Sequence, residues 1–296
     1  LVPTLTYVAS FQAISATGAV PIACDVLESN GLIDLDDAGN RITNQTKAIM
    51  PVHYAGNMGD LDSIYEFAKK HKLRVIEDAA HGFGSKYKDN LIGSIGDIVC
   101  FSFDGIKNIT SGEGGAIVTK DPEVLKKVKD ARLLGVHNDT SKRYQGDRSW
   151  DCEVSAQGWR YHMSDIMAAI GRVQLQRFEA ELKPARINLV NRYKQLLSSC
   201  DEISFFDNDQ TGEVVAYHMP IKVHQFRDQL RDVLIKKGIP SGVHYKPNHL
   251  LTYYQNTTTV SLLSSEKLYK ELLTLPLHPG LSEVEVEAIC SEIKLL

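Results

Sequence analysis

The feature that most constrains this chain is an alternation of helical-period and strand-like segments between residues 61 and 134. Residues 61–72 place Leu61, Ile64, Tyr65, Phe67 and Ala68 on one helical face, with Asp60 positioned to cap the helix. A short apolar run at 73–76 follows and ends in the acids of "VIEDAAHGFGS". "DIVCFSF" and "GGAIVT" then read as two further strands, and Asp121-Pro122 opens a helix toward Leu134, with proline at the tolerated first position. Short apolar strands alternating with helices predict an α/β fold, a three-layer arrangement around a mostly parallel central sheet. In such sheets the ligand crevice lies beyond the carboxyl ends of the strands. Asp78, His81, Ser102 and Lys107 all fall there.

The rest of the chain extends this plan. Residues 135–158 are polar and turn-rich and read as a long loop, a length that is commonly functional. Ser164 caps "SDIMAAIGRVQLQRF", whose apolar face is Ile166, Ala169, Ile170, Val173 and Leu175, and Pro184 opens a further helix to about Ser199. We place a boundary there, giving a large domain at 1–183 and a smaller C-terminal α/β domain at 184–296. The second is expected to hold strands in "EVVAYHMPIKV", helices near 226–237 and 266–273, and a last helix after Ser282.

Composition excludes several classes. A net charge of -4 over 296 residues gives no global case for nucleic-acid binding. No apolar run is long enough to span a membrane, and the opening "LVPTLTYVAS" lacks a signal-peptide pattern. The five cysteines are scattered without a CxxC pair, and the ten histidines include no HExxH. Reduced thiols, a cytoplasmic location and no metal site are the expectation.

Chemistry concentrates in "SFDGIKNITSGEGGAIVTKD", where Lys107 stands in a glycine-rich run without phosphate-loop spacing. Gly112-Glu113-Gly114-Gly115 is not the GxGxxG of a nicotinamide-dinucleotide enzyme either. An aspartate at one strand end and a lysine at another, some thirty residues later, suit pyridoxal 5'-phosphate (PLP). That cofactor needs a lysine for its Schiff base and an acid that keeps its ring nitrogen protonated, so that the ring acts as an electron sink. Lys107 and Asp78 are the candidate pair.

At these residues the chain resembles the DegT-type sugar aminotransferases, PLP enzymes of the aspartate aminotransferase fold (fold type I). Six blocks match in order: "VPTLTYVAS", "VIEDAAHGFGS", "FSFDGIKNITSGEGGAIVT", "GWRYHMSDIMAAIGRVQL", "GVHYKPNHLLTYY" and "LPLHPGLSEVEVEAI". The resemblance implies that Lys107 is the Schiff-base lysine and Asp78 the partner of the ring nitrogen. It further implies that His81 contacts the phenolic oxygen, Ser102 binds the phosphate and Tyr7 stacks on the ring. His244, Tyr245 and His249 are candidate substrate contacts.

Two departures stand out. Family members commonly have His or Tyr, then Pro and Thr, before the lysine, where this chain has Asp104, Gly105 and Ile106. Many have Asn-Tyr-Arg where it has Arg160-Tyr161-His162. The Asn reaches the neighbouring subunit's cofactor phosphate; Arg160 could make that contact or bind a substrate diphosphate. Family members also carry a segment ahead of the match to Leu1, with a glycine-threonine turn that meets the phosphate, so a longer natural chain is expected. The implied activity is transfer of an amino group, with glutamate as donor, to a nucleotide-linked keto-sugar, by a homodimer with shared active sites. The product would be an amino sugar for a polysaccharide such as an O-antigen, or for a secondary metabolite. Relatives that dehydrate sugars have histidine in place of the lysine, so Lys107 argues for transamination; a non-catalytic regulator on the same fold is the remaining alternative.

Overall fold

A computed structural model describes residues 1–137, 153–208, 212–255 and 260–295. The centre of the long loop expected at 135–158 and the cysteine at 152 lie outside these residues.

Nine helices are described here: α1 (Val8–Ser15), α2 (Leu35–Asn40), α3 (Leu61–His71), α4 (Pro122–Ala131), α5 (Asp165–Arg177), α6 (Lys183–Leu197), α7 (Arg227–Lys236), α8 (Leu263–Glu271) and α9 (Glu283–Lys294). The larger sheet has the order β1 (Ala48–Ile49), β2 (Arg74–Asp78), β3 (Ile98–Ser102), β4 (Gly115–Thr119). The first three strands run parallel and β4 is antiparallel to β3. The register sets Asp78 opposite Cys100 and Ser102 opposite Gly115, so the carboxyl ends of β2 and β3 open on one edge.

Helix α3 forms where its pattern predicts. The Asp60 carboxylate accepts the Ser63 N–H, Leu61, Ile64 and Ala68 are buried, and Lys72 closes the helix in the left-handed conformation. Helix α4 is capped by Asp121, whose side chain accepts from the Glu123 and Val124 amides, and ends at Ala131, before the expected Leu134.

Helix α5 is capped by Ser164, as its sequence suggests, yet its apolar residues are open: Ile166 is 78% exposed, Val173 52% and Leu175 57%. Contrary to expectation, Pro184 does not begin a separate helix. The backbone continues from α5 through a π-helical turn, Phe178–Leu182, directly into α6. A proline's missing N–H and its ring both disturb the preceding turn. A wider turn immediately before it absorbs that disturbance.

The smaller sheet is antiparallel, with β6 (Met219–Val223) between β5 (Ile203–Phe205) and β7 (Leu272–Leu275). Leu189, Tyr193, Ile221, Leu234, Leu273 and Val286 are the centre of its core, drawn from α6, α7, α9 and the sheet. Two sequence expectations change here. Only the end of "EVVAYHMPIKV" joins this sheet, because Gly212–Glu213 pairs instead with Lys86–Tyr87. Residues 272–273 are strand rather than helix end: every residue of Leu272–Leu275 is buried, a pattern that suits a covered strand and not an amphipathic helix. Helix α9 begins with a reciprocal capping box between Ser282 and Glu285.

Candidate active site

The strand ends hold Asp78 in a fixed pose. Its backbone N–H donates to Pro51 O at 2.9 Å, and its carbonyl accepts the His53 N–H at 3.0 Å. Its side chain accepts the Ser10 hydroxyl at 2.6 Å and the Ala80 N–H at 3.1 Å, leaving the carboxylate half-buried on the floor of a cleft. Short bonds to an ionised acceptor are the strong kind and fix orientation as well as charge. Beneath it, the buried Glu77 lies 2.8 Å from His53 Nε2 and accepts the Tyr65 hydroxyl at 2.6 Å.

Lys107 comes from the turn after β3. Its N–H donates to Asp104 O at 3.1 Å, the Asp104 carboxylate accepts the Ile106 N–H at 3.2 Å, and Ser102 Oγ accepts the Asp104 N–H at 3.3 Å. Glycine is needed at Gly114, where φ is +152° and a Cβ would meet Met163 Cε at 2.6 Å and Ser111 Oγ at 2.7 Å. The loop thereby closes tightly behind Lys107. The Lys107 ammonium lies 4.3 Å from the centre of the Tyr217 ring and has no ion-pair partner among the described residues. Burial pulls its pKa down, opposed by the attraction of Asp78 and Asp104.

Around it stands a wall of rings. His81 is buried and stacked on Tyr217, with centroids 4.1 Å apart, and its Nε2 lies 3.3 Å from the Tyr245 hydroxyl. His218, whose ring nitrogens are both buried and unpartnered, stands edge-on to His81 and Tyr217 and tilted against His244. Burial drives the pKa of His81, His218 and His244 down; His218 and His244 add to the effect on His81, His244 adds to that on His218, and Lys107 disfavours the charged form of all three. These imidazoles are neutral at neutral pH. Tyr7, 58% exposed, leans on Tyr245 at 5.6 Å between centroids.

The structure thus gathers Tyr7, Asp78, His81, Ser102, Lys107, His244 and Tyr245 around one cleft of about 530 Å3. It does not bring in Arg160 or His249. Arg160 is exposed and bridges to Leu133, away from the cleft in the single chain. His249 is buried, with Nδ1 2.8 Å from Thr4 Oγ1 and Nε2 3.3 Å from Glu266 Oε1, so both ring nitrogens are held within the fold. Sequence reasoning missed Tyr217, which reaches the cleft from the bend just before β6, more than a hundred residues beyond Lys107, His218, which packs behind it against His81, and Arg186, which holds the Tyr217 backbone. The only sequence signal for that pair was a Tyr-His step just ahead of an apolar strand.

The cleft fits PLP. It offers an amine with depressed basicity, a carboxylate fixed at the floor, and a buried His81 Nδ1 without a partner. Its volume is in the range of cofactor sites. Among the described residues no cluster of His, Cys, Asp and Glu could hold a metal ion, and no helix is long and apolar enough to cross a membrane.

Comparison with known proteins identifies the family and the fold. The model of the DegT/DnrJ/EryC1/StrS aminotransferase family matches residues 1–294. The chain is 33% identical over 298 aligned residues to the uncharacterized protein MJ1066 of Methanocaldococcus jannaschii, covering 98% of this chain and 77% of that one. Among solved structures, Spr1654 of Streptococcus pneumoniae in its PMP form is 31% identical with a TM-score of 0.90, covering 99% of this chain and 80% of that one. PseC of Helicobacter pylori, an aminotransferase involved in the biosynthesis of pseudoaminic acid, is 27% identical with a TM-score of 0.91, covering 99% and 78%.

Proposed function

Because the chain belongs to the DegT/DnrJ/EryC1/StrS aminotransferase family and is a PLP-dependent transaminase, we propose that it moves an amino group from glutamate to the keto carbon of a nucleotide-linked sugar. The observation that carries this reading is the pairing of Lys107 with Asp78 in one cleft on a fold matched from end to end. Structural neighbours that are aminotransferases, PseC among them, support a sugar as the acceptor.

Bound in this cleft, PLP supplies an electron sink for charge that develops at the reacting carbon. The protein's own residues do the rest. Lys107 carries the proton to and from the donor α-carbon and returns it at the sugar carbon, a task suited to an amine whose basicity burial has reduced. Asp78, held by Ser10 and the Ala80 amide, keeps a proton on the ring nitrogen. Neutral His81 orients the phenolic oxygen, Ser102 contributes to the phosphate site, and Tyr7 covers the ring. His244 and Tyr245, which line the same cleft, meet the sugar.

The working unit in this proposal is a homodimer. The exposed apolar face of α5 supports a partner subunit there, with Arg160, close by in sequence, reaching across it. The division into units at 1–183 and 184–296 belongs to the same reading, with one antiparallel sheet and its covering helices forming most of the second.

The test is direct. The protein is loaded with PLP, reduced with borohydride and mapped by peptide mass, then assayed with glutamate and a panel of nucleotide keto-sugars. A cofactor adduct on Lys107 that Lys107→Ala abolishes, together with transamination, supports the reading. An adduct on another lysine, such as Lys86 or Lys120, or turnover by Lys107→Ala, overturns it.

A further inference from the structure

The amine at the centre of the cleft rests on a ring. The Lys107 ammonium lies 4.3 Å from the centre of the Tyr217 ring, well within the range over which an aromatic face attracts a cation. No ion pair or hydrogen bond joins that ammonium to another described residue. Asp78 and Asp104 attract it without pairing with it. The Asp78 carboxylate is turned to the Ser10 hydroxyl and the Ala80 N–H, and the Asp104 carboxylate to the Ile106 N–H. The other titratable groups facing the amine, His81, His218 and His244, are neutral imidazoles.

Tyr217 is mounted as a fixed support. Its N–H donates to Ala55 O at 3.2 Å, and its carbonyl accepts from Arg186 Nη1 at 3.0 Å, so both of its backbone groups are tied. The ring is 7% exposed. It lies nearly parallel to His81, at 14° and 4.1 Å between centroids, and meets His218 edge-on at 5.1 Å. Lysine, by contrast, carries its charge on a flexible four-carbon stem. The contact therefore sets a mobile cation on an immobile ring.

We infer that Tyr217 is a positioning residue whose ring face receives the Lys107 amine whenever it is free, holding it at the cleft wall between proton transfers. This rests on the Lys107 reading above and extends it to a residue with no part yet in that chemistry. A lysine released from the cofactor would otherwise have a long side chain to reorder at each turn of the cycle. The kind of support matters as much as its place. A carboxylate here would bind the ammonium through short, charge-assisted hydrogen bonds that must break before the amine can act. A tyrosine face attracts it through the ring quadrupole alone, so the hold is directional in place yet easily left.

The test uses the apoprotein and the electronics of the ring, so that it does not depend on turnover. Tyr217→Phe keeps the face and removes only a hydroxyl that is bonded to no described residue. Phenylalanines with one, two and three ring fluorines at the same position then drain the face of charge with little change of shape. Lys107 is acetylated with limiting acetic anhydride at neutral pH and quantified by peptide mass against the exposed Lys120. A weaker face favours the ammonium less, so the fraction of free amine and the labelling should rise. Tyr217→Phe should label like wild type, and labelling should climb with each fluorine to roughly fivefold at three. A flat series overturns the inference, whether Tyr217→Phe alone alters labelling (a role for the hydroxyl) or the variants lose only stability in urea melts (a role in packing). The borohydride adduct is read separately. If it falls on another lysine while the fluorine series still moves Lys107, the functional reading fails and the resting place on Tyr217 stands.

Discussion

Arg186 offers the sharpest perturbation, because two large effects on it nearly cancel in stability and do not cancel in function. The guanidinium is 3% exposed and has no carboxylate partner among the described residues. Its Nη1 donates to the carbonyls of Ala216 at 3.3 Å, Tyr217 at 3.0 Å and Leu277 at 3.4 Å. Burial lowers its pKa from the ordinary guanidinium value to about 10. That depression costs about 3–4 kcal/mol at neutral pH, from roughly 1.4 kcal/mol for each tenfold change. Against this stand three bonds from a charged donor, two of them long, together contributing about 3–4 kcal/mol. Arg186→Met should therefore change stability by no more than about 1 kcal/mol in urea melts at neutral pH. The sign with pH follows from the depressed folded pKa. The folded state resists the proton, so the cost is fully present below about 10 and fades as pH rises from there toward the ordinary guanidinium value. Wild type should gain on Arg186→Met across that window, a difference in which the other titrating groups cancel. Function should behave differently. Losing the tie to the Tyr217 carbonyl loosens the ring that stacks on His81 and lies against Lys107, and a displacement near 1 Å costs on the order of a hundredfold in rate. A loss of stability above about 4 kcal/mol, as when a partnered buried charge is broken, would refute the reasoning. So would unchanged kcat/KM.

Other expectations are simpler to state. Asp78→Asn should leave the urea midpoint unchanged and cut kcat by about a hundredfold or more, with the loss in α-proton transfer seen as a larger deuterium effect; turnover within about threefold of wild type would remove Asp78 from its role. Mixing Arg160→Ala with Lys107→Ala subunits should restore some activity by forming one intact site per heterodimer, and no recovery despite proven exchange would end the shared-site proposal. The three imidazoles with depressed pKa resist protonation only when folded, so stability should fall as pH drops through 6.5, the ordinary histidine value. His218→Phe, measured by urea melts at several acidic pH values, should flatten that fall; an unchanged slope would count against the cluster.

How much of this was legible in the sequence depended on whether the cause was local. The strand ends that present Asp78, Ser102 and Lys107 follow from apolar runs closed by acids and glycines, and α3, α5 and α9 begin at the caps their sequences advertise. The α/β class followed from the same alternation. Tyr217 was not legible, because what brings it to the cleft is packing across more than a hundred residues, and His218 and Arg186, packed against it, were hidden for the same non-local reason. His249 was read as a substrate contact from a matched block, yet a buried histidine between Thr4 and Glu266 has the same letter as one that faces a ligand. Pro184 misled for a related reason: proline marks a helix start unless a preceding turn has already widened to receive it.

That widened turn has a mechanical consequence. A helix transmits force along its length and yields where its hydrogen-bond ladder changes step, so any swing of α6 relative to α5 is concentrated at Phe178–Leu182. The pivot is not free. The Phe178 ring sits where a side chain on Gly84 would stand, 2.2 Å from that missing Cβ, and Gly84 lies on the segment that continues from His81. The joint between the two ends of this long lever therefore bears directly on the wall of the cleft, and a bend there is felt three residues from His81.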